Sequence, residues 1–267
     1  MENNKKIVEI LKTLKEKKPL IHHLTNYVTV NDCANIVLAL GGSPVMADDI
    51  EEVEDMVAIA SALVINIGTL NSRTIEAMLK AGKKANELGI PVVLDPVGVG
   101  ATAYRKSVAL KLIETIKFAV IRGNMAEIKI LSGIEAKSKG VDSEENSTED
   151  GKKVALELAK ALKTVVAITG RVDYISDGEK VIAIHNGHEM LKDVTGTGCM
   201  STSLVGTYAA ATENYLLAAV AGVMTMGIAG EKAFEAGEGN GSFKVKILDN
   251  VYNLSEKDII ERGKIYE

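Results

Sequence analysis

The chain has 267 residues, of which 46% are hydrophobic and 25% charged, and its net charge is −5. This composition is that of a globular protein and excludes a disordered chain, while the length suits a single large domain over residues 1–267. Because the balance is acidic and basic residues do not alternate with aromatic ones, we expect no nucleic-acid partner.

The first part of the chain alternates helical and strand-like patterns. Apolar residues at Ile7, Ile10, Leu11 and Leu14 predict an amphipathic first helix. Further helices are predicted over residues 31–40, 49–61, 71–88 and 102–116, and strands over residues 43–46, 62–67, 91–94 and 118–121. Residues 1–18 are charged throughout and lack the apolar segment of a signal peptide, so a cytoplasmic protein is expected.

The second part continues the alternation. It predicts a helix over residues 124–131, a polar exposed loop over 137–151, a helix over 152–162, a strand over 164–169 and a hairpin over 174–184. The remainder is expected to be helical, up to a last strand near residues 243–247. Its longest apolar stretch, residues 215–230, is shorter than a membrane span and contains glycines, which predicts a buried core helix and no membrane partner.

Strands that alternate with helices of this length predict an α/β fold with a mostly parallel sheet flanked by helices. Ligands in such folds bind at the carboxyl ends of the strands. We therefore expect functional residues at Asn66 and Gly68, at Asp95, at residues 122–124 and at residues 169–170. The two cysteines, Cys33 and Cys199, have no Cys-x-x-Cys spacing, so neither a disulfide framework nor a zinc site is predicted.

The segment Asp193-Val194-Thr195-Gly196-Thr197-Gly198-Cys199 precedes an apolar helical pattern. Glycines at a helix start let free backbone N–H groups approach a phosphate, although a plain helix-entry turn has the same composition. The segment resembles the anion-binding signature of ribokinase-like kinases, in which an Asp follows the second glycine. Cys199 stands there instead, and in this respect the motif resembles that of the hydroxyethylthiazole kinases.

Other segments carry the same resemblance. Asn124 and Glu127 match an Asn-x-x-Glu element associated with magnesium and phosphate, and the loop that begins at Asp95 is similar to the loop after a central strand of the family. Arg122 suits phosphate contact and Thr169 resembles a nucleotide contact. Each assignment has an ordinary alternative. Asn124 and Glu127 could form a helix cap with an exposed Glu, and Asp95 could cap a turn. Arg122 could form a surface ion pair, and Thr169 could be a turn residue.

Residues 24–31 and 42–47 resemble the thiazole-binding segments of the family. The Met46 thioether could lie against a flat heteroaromatic ring, and Asn26 could bond a ring heteroatom or the hydroxyl. Without the resemblance, Met46 would be interpreted as ordinary core. His22, His23, His185 and His188 receive no role.

The resemblance implies a three-layer ribokinase-like fold and phosphorylation of the alcohol of 4-methyl-5-(2-hydroxyethyl)thiazole by ATP with Mg²⁺. It assigns catalysis to Cys199, substrate binding to Asn26, Met46 and Gly196, and metal binding to Asp95 and Glu127. ATP would contact Arg122, Asn124, Thr169, Thr197 and Gly198. It also implies a homotrimer with sites at subunit interfaces. A pyrimidine or sugar-alcohol kinase, a dehydratase of hydrated nicotinamide cofactors and a non-catalytic nucleotide-binding regulator are the alternatives.

Overall fold

A computed structural model describes residues 2–133, 148–237 and 239–267 of the chain. The strands, in chain order, are β1 Leu20–Leu24, β2 Ser43–Val45, β3 Ala62–Asn66, β4 Val92–Asp95, β5 Val120–Asn124, β6 Val165–Thr169, β7 Asp173–Ser176, β8 Val181–Ile184 and β9 Ile265–Tyr266. The α-helices are α1 Glu2–Lys17, α2 Val30–Leu40, α3 Val53–Ile59, α4 Ser72–Glu87, α5 Ala103–Thr115, α6 Met125–Leu131, α7 Thr148–Leu162, α8 Thr197–Ala209, α9 Tyr215–Glu235, α10 Asn240–Tyr252 and α11 Glu256–Arg262. A short 3-10 helix, Glu189–Asp193, precedes α8.

Within these residues, nine strands form one sheet in the order β2-β1-β3-β4-β5-β6-β7-β8-β9. The strands from β2 to β6 along this order pair in parallel, whereas β7, β8 and β9 pair antiparallel. Each parallel connection returns through at least one helix, as the crossover between parallel strands requires. The predicted mostly parallel sheet is confirmed.

Side chains of each central strand point alternately to two hydrophobic cores. In β3, Ala62 and Val64 face one core, while Leu63 and Ile65 face the other. Helices α1, α2, α8, α9, α10 and α11 cover the first face, and α3 to α7 cover the second. The period of two therefore buries both faces of the sheet and produces the predicted three-layer arrangement.

The apolar stretch in the C-terminal part forms α9, which is long and apolar enough to cross a membrane by length and composition. Of its most apolar window, 89% is buried inside the fold, against the sheet and α8. The predicted core helix is confirmed.

One predicted strand was wrong, two strands were missed, and one predicted loop is only partly described. Residues 243–247 are not a strand but lie within α10, where Phe243, Ile247 and Val251, spaced four apart, bury one face of the helix. The strand β1 and the short strand β9 were not predicted. The predicted loop over 137–151 lies partly outside the described residues, and the rest of it is already helical in α7.

Candidate active site

The parallel strands end at one edge of the sheet, and polar side chains collect there. The register between β3 and β4 places Asn66 beside Asp95, and the register between β5 and β6 places Asn124 beside Thr169. The chain reversals that follow these strands therefore face a common space, as the rule for ligand sites in such sheets predicts.

Cys199 lies at the centre of this edge, in the first turn of α8. Its buried Sγ accepts hydrogen bonds from Asn26 Nδ2 at 3.4 Å and from Asn66 Nδ2 at 3.3 Å. Asn66 Nδ2 also donates to Asp95 Oδ2 at 2.9 Å, and Asn26 Nδ2 donates to Asn66 Oδ1 at 3.0 Å. The predicted residues Asn26, Asp95 and Cys199 are thus joined through one asparagine at the end of β3.

Burial governs the protonation of this group. The Asp95 side chain is 2% exposed, and burial raises its pKa to about 6 despite the opposing charge of Arg122. Thr202, one turn after Cys199, donates to the same carboxylate oxygen as Asn66. Burial, and then the nearby Asp95 carboxylate, raise the pKa of the Cys199 thiol. Cys199 is therefore a neutral thiol at neutral pH.

Both glycines before Cys199 lie in close contact with neighbouring side chains, and the left-handed backbone at Gly196 favours glycine. Gly196 has φ = +94°, and a Cβ there would lie 2.8 Å from Thr29 Cγ2. A Cβ at Gly198 would lie 2.9 Å from Nη1 of Arg122. The start of α8 therefore lies close to the guanidinium, and a helix start leaves backbone N–H groups free for an anion.

Arg122 is held at this point by β6. Its Nη2 donates to Thr169 Oγ1 at 2.6 Å, while its buried Nε has no partner among the described residues. The predicted residues Arg122, Thr169 and Gly198 are therefore adjacent. Thr197 turns its hydroxyl away from them, toward the carbonyl groups of Leu191 and Val194, and so fixes the segment before α8.

Asn124 and Glu127 form a capping box at the start of α6. The Asn124 side chain accepts from the Glu127 amide, and Glu127 Oε2 accepts from the Asn124 amide, each at 2.9 Å. Glu127 Oε1 accepts from the Gly98 amide at 2.9 Å. The alternative of a helix cap is therefore present in the structure, and it also ties the Glu127 carboxylate to the loop after Asp95.

Met46 lies apart from this cluster, in a pocket of about 230 Å³. Residues that follow β1, β2 and β3 contribute most of its lining: His23, Thr25, Tyr27, Val30, Met46, Asp48, Thr69, Asn71, Arg73 and Thr74. Asn26 lies between two of these residues, and its side chain reaches Cys199. The volume is below the roughly 300–1,000 Å³ of most small-molecule sites, which favours a small ligand.

Three residues at the site were not assigned from the sequence. Arg105 of α5 donates to the carbonyl groups of Ile67, Gly68 and Val97, and so clamps the reversals after β3 and β4. Asp173 of β7 accepts from the Gly170 amide, and burial raises its pKa to about 7. The third is Thr202. Its position one turn after Cys199, on the same helix face, could have indicated its role.

The carboxylates suit a magnesium ion rather than a metal held by the protein alone. Among the described residues, no group of three or more His, Cys, Asp or Glu is clustered for metal binding. Mg²⁺ usually takes one or two carboxylates and completes its shell with water and substrate phosphates. Glu127 raises the pKa of Asp95 by like-charge repulsion, which a divalent cation would relieve.

Comparison with known proteins gives one consistent answer. The sequence model of the "Hydroxyethylthiazole kinase family" matches residues 11–257. A hydroxyethylthiazole kinase of Clostridium tetani (strain Massachusetts / E88) is 57% identical, with 100% of this chain and 99% of that protein aligned. The solved hydroxyethylthiazole kinase structure from Pyrococcus horikoshii OT3 is 45% identical and superposes with a TM-score of 0.91 over 98% of each chain.

A more distant structure shares the fold alone. The pyridoxal kinase of Staphylococcus aureus in complex with ADP is 16% identical, with a TM-score of 0.62 over 79% of this chain and 87% of that one. The full-length identity to the relatives, together with the residues gathered around Cys199, establishes that this chain belongs to the hydroxyethylthiazole kinase family.

Proposed function

We propose that the chain transfers the γ-phosphoryl group of ATP to the primary alcohol of 4-methyl-5-(2-hydroxyethyl)thiazole, with Mg²⁺ as cofactor. One observation carries the assignment of roles. Cys199 and the α8 amides lie between a small pocket over β1 to β3 and a charged cluster over β4 to β6. An alcohol from one side and a polyphosphate from the other would therefore meet at the start of α8.

On the substrate side, Met46 would lie against the thiazole ring, because it lines the pocket. The amide of Asn26 would orient the hydroxyethyl arm, because it lies between the pocket and Cys199. Gly196 would let the arm pass close to the backbone. These contacts would place the hydroxyl oxygen against the terminal phosphate, and positioning of this kind supplies much of the rate in phosphoryl transfer.

On the nucleotide side, the Thr197 and Gly198 amides and the Arg122 guanidinium would bind the phosphate oxygens. Asn124 and Thr169 lie beside Arg122 on neighbouring strand ends and would contact the rest of the polyphosphate. Asp95 and Glu127 would hold Mg²⁺. When bound, the ion neutralises negative charge on the phosphates.

Cys199 would face the attacking hydroxyl as a neutral hydrogen-bonding group. Its thiol pKa is raised by burial, so it is a weak base. A loose transition state leaves the proton on the attacking oxygen until late, and a strong base is therefore unnecessary. Orientation of the hydroxyl by Cys199, with Asn26 and Asn66 bonded behind its Sγ, is the role that this geometry supports.

The proposal includes the assembly and the compartment. Tyr27, which lines the pocket, is 79% exposed and Val28 is 58% exposed, so the pocket is flanked by an apolar surface that a second subunit would cover. A homotrimer with shared sites accounts for this surface. Both cysteines are free and buried, which suits the reducing cytoplasm.

The test is a coupled assay of ADP release with identification of the product by mass. The thiazole alcohol, a hydroxymethylpyrimidine, a sugar alcohol and no acceptor are compared, each with Mg²⁺ and with a chelator. We expect ADP and the thiazole monophosphate only in the arm that contains the thiazole alcohol and Mg²⁺. A higher kcat/KM for the pyrimidine or the sugar alcohol would contradict the assignment of substrate.

A further inference from the structure

Arg105 of α5 is half-buried at the candidate active site, and the roles proposed above do not include it. Its guanidinium donates to three backbone carbonyl groups in the reversals after β3 and β4. Nη1 bonds the oxygens of Ile67 at 2.8 Å and Val97 at 2.9 Å, and Nη2 bonds that of Gly68 at 2.7 Å. One rigid, charged fork therefore connects the ends of two neighbouring strands.

The peptide group between Ile67 and Gly68 connects Arg105 with Asn66. Its oxygen accepts from Nη1, and its N–H, on the Gly68 nitrogen, donates to Asn66 Oδ1 at 2.9 Å. Because a trans peptide group is planar, with C=O and N–H pointing in opposite directions, a guanidinium that holds the oxygen also aims the hydrogen. With Oδ1 bonded in this way, Asn66 Nδ2 is directed at Cys199 Sγ, 3.3 Å away.

The peptide group between Val97 and Gly98 connects the same guanidinium with Glu127. Its oxygen accepts from Nη1 of Arg105, and its N–H, on the Gly98 nitrogen, donates to Glu127 Oε1 at 2.9 Å. The two reversals therefore repeat one arrangement. In each, Arg105 holds the oxygen of a peptide group whose hydrogen is bonded to a side chain of the proposed site.

We propose that Arg105 is a positioning residue that sets the Asn66 amide and the Glu127 carboxylate in register through these two peptide groups. Its charge polarises both carbonyl groups, which strengthens the N–H donors on their far sides. Asn66 bonds Cys199 and Glu127 is a proposed metal ligand, so one guanidinium aligns the two halves of the site. The inference rests on the proposed function, since the roles of Cys199 and Glu127 come from it.

The alignment itself is tested by amide hydrogen exchange in the substrate-free enzyme, read by NMR with isotopically labelled glycine. Arg105→Lys keeps the positive charge but replaces the fork by a compact ammonium. We expect exchange at the Gly68 and Gly98 amides to become about tenfold faster, as the loss of one net hydrogen bond implies. The Gly170 amide is the internal control, because it also donates to a side chain, that of Asp173, and its exchange should not change.

The consequence for the reaction is tested by steady-state kinetics with the alcohol that the wild-type enzyme phosphorylates best. Arg105→Lys should lower kcat about tenfold, because the reacting groups are displaced. It should raise the Mg²⁺ concentration for half-maximal rate about tenfold, as loss of support behind a metal ligand does. In a Glu127→Gln background, Arg105→Lys should raise this Mg²⁺ requirement no further, because both changes act through the same carboxylate.

Arg262→Lys is the matched control, because Arg262 of α11 pairs with Glu235 at the surface, and its kinetics should equal those of the wild type. All rates are measured well below the melting temperature of each variant. Unchanged exchange at Gly68 or Gly98 in Arg105→Lys would overturn the proposal. Faster exchange with wild-type kcat and Mg²⁺ dependence would also overturn it and leave Arg105 as a support of the fold. A failure of the proposed function would appear in the wild-type assay, whereas the exchange measurement requires no substrate.

Discussion

At Cys199, burial and the surrounding charge raise the pKa of the thiol, and hydrogen bonding to Sγ opposes them. Two asparagine side chains donate to Sγ, but burial and the nearby Asp95 carboxylate keep the thiol protonated. A protonated thiol can hold a substrate hydroxyl without removing its proton. The residue at this position is therefore expected to contribute orientation more than basicity.

Substitutions of Cys199 test that expectation. Cys199→Ser should retain measurable kcat, because the α8 amides, Arg122 and the proposed metal ligands remain. Cys199→Asp should match or exceed the wild-type kcat, since a carboxylate accepts a hydrogen bond from the hydroxyl better than a thiol does. Asn26 and Asn66 would supply donors to the new carboxylate, which offsets part of its repulsion by Asp95.

The measurement is kcat for purified variants whose folding is checked by thermal melting. A well-folded Cys199→Asp enzyme with activity far below that of Cys199→Ser would contradict the assigned role. It would indicate instead that the position requires a small side chain in the first turn of α8.

Motifs contiguous in sequence located part of this site. The two glycines and Cys199 form one local motif, Asn124 and Glu127 form another, and the rule for strand ends added Asp95 and Asn66. Arg105 could not be found in this way, because its guanidinium crosses from a helix to carbonyl groups of two separate reversals. Contacts between distant segments leave no local pattern.

Among the elements, those with strong periodicity were predicted and the others were not. The continuous apolar run of β3 indicated a buried strand. The strand β1, with the sequence Leu-Ile-His-His-Leu, has two histidines in its centre, and it is recognisable only because β2 and β3 pair on either side. In α10, the short apolar window at residues 243–247 suited either element, and the spacing to Val251 favours the helix.

A residue that caps the start of α6 also belongs to the proposed metal site. Glu127 both closes the capping box and faces Asp95, so it serves the helix and the proposed metal site. Glu127→Gln should lower the free energy of unfolding by about 1 kcal/mol, because one backbone amide loses its carboxylate acceptor. It should also lose most activity at low Mg²⁺ and recover part of it at high Mg²⁺.

A matched substitution separates these two effects. Asp258 completes the same kind of capping box at α11, far along the chain from the proposed site. Asp258→Asn should lower stability by at least as much, because it also removes the charge that pairs with Lys232, and it should leave the Mg²⁺ dependence of kcat unchanged. If Glu127→Gln also kept the wild-type Mg²⁺ dependence, Glu127 would be only a cap.

Over the whole molecule, the two halves of the sheet carry different parts of the proposed site. Strands β1 to β3 end at the pocket, and β4 to β6 end at the charged residues. Helix α8 crosses between them, because it packs against α2 and also against β3 and β4. This division matches the proposed roles of Asn26 and Met46, in the first third of the chain, and of Arg122 and Thr169 beyond it.

The exposed apolar residues beside the pocket supply the test of assembly. An aspartate at Val28 would place a charge in the proposed contact with a neighbouring subunit, and burying an unpaired charge is costly. We therefore expect the wild-type protein to be a trimer by light scattering coupled to size exclusion, and Val28→Asp to be largely monomeric. KM for the thiazole alcohol should rise with dissociation, whereas KM for ATP should change little, because Arg122 and Thr169 lie over the other half of the sheet.

Val245→Asp is the control, since Val245 on α10 is equally exposed, at 58%. A monomeric wild-type protein, or a trimeric Val28→Asp variant with unchanged kinetics, would show that this surface forms no subunit contact and that the pocket is complete within one chain.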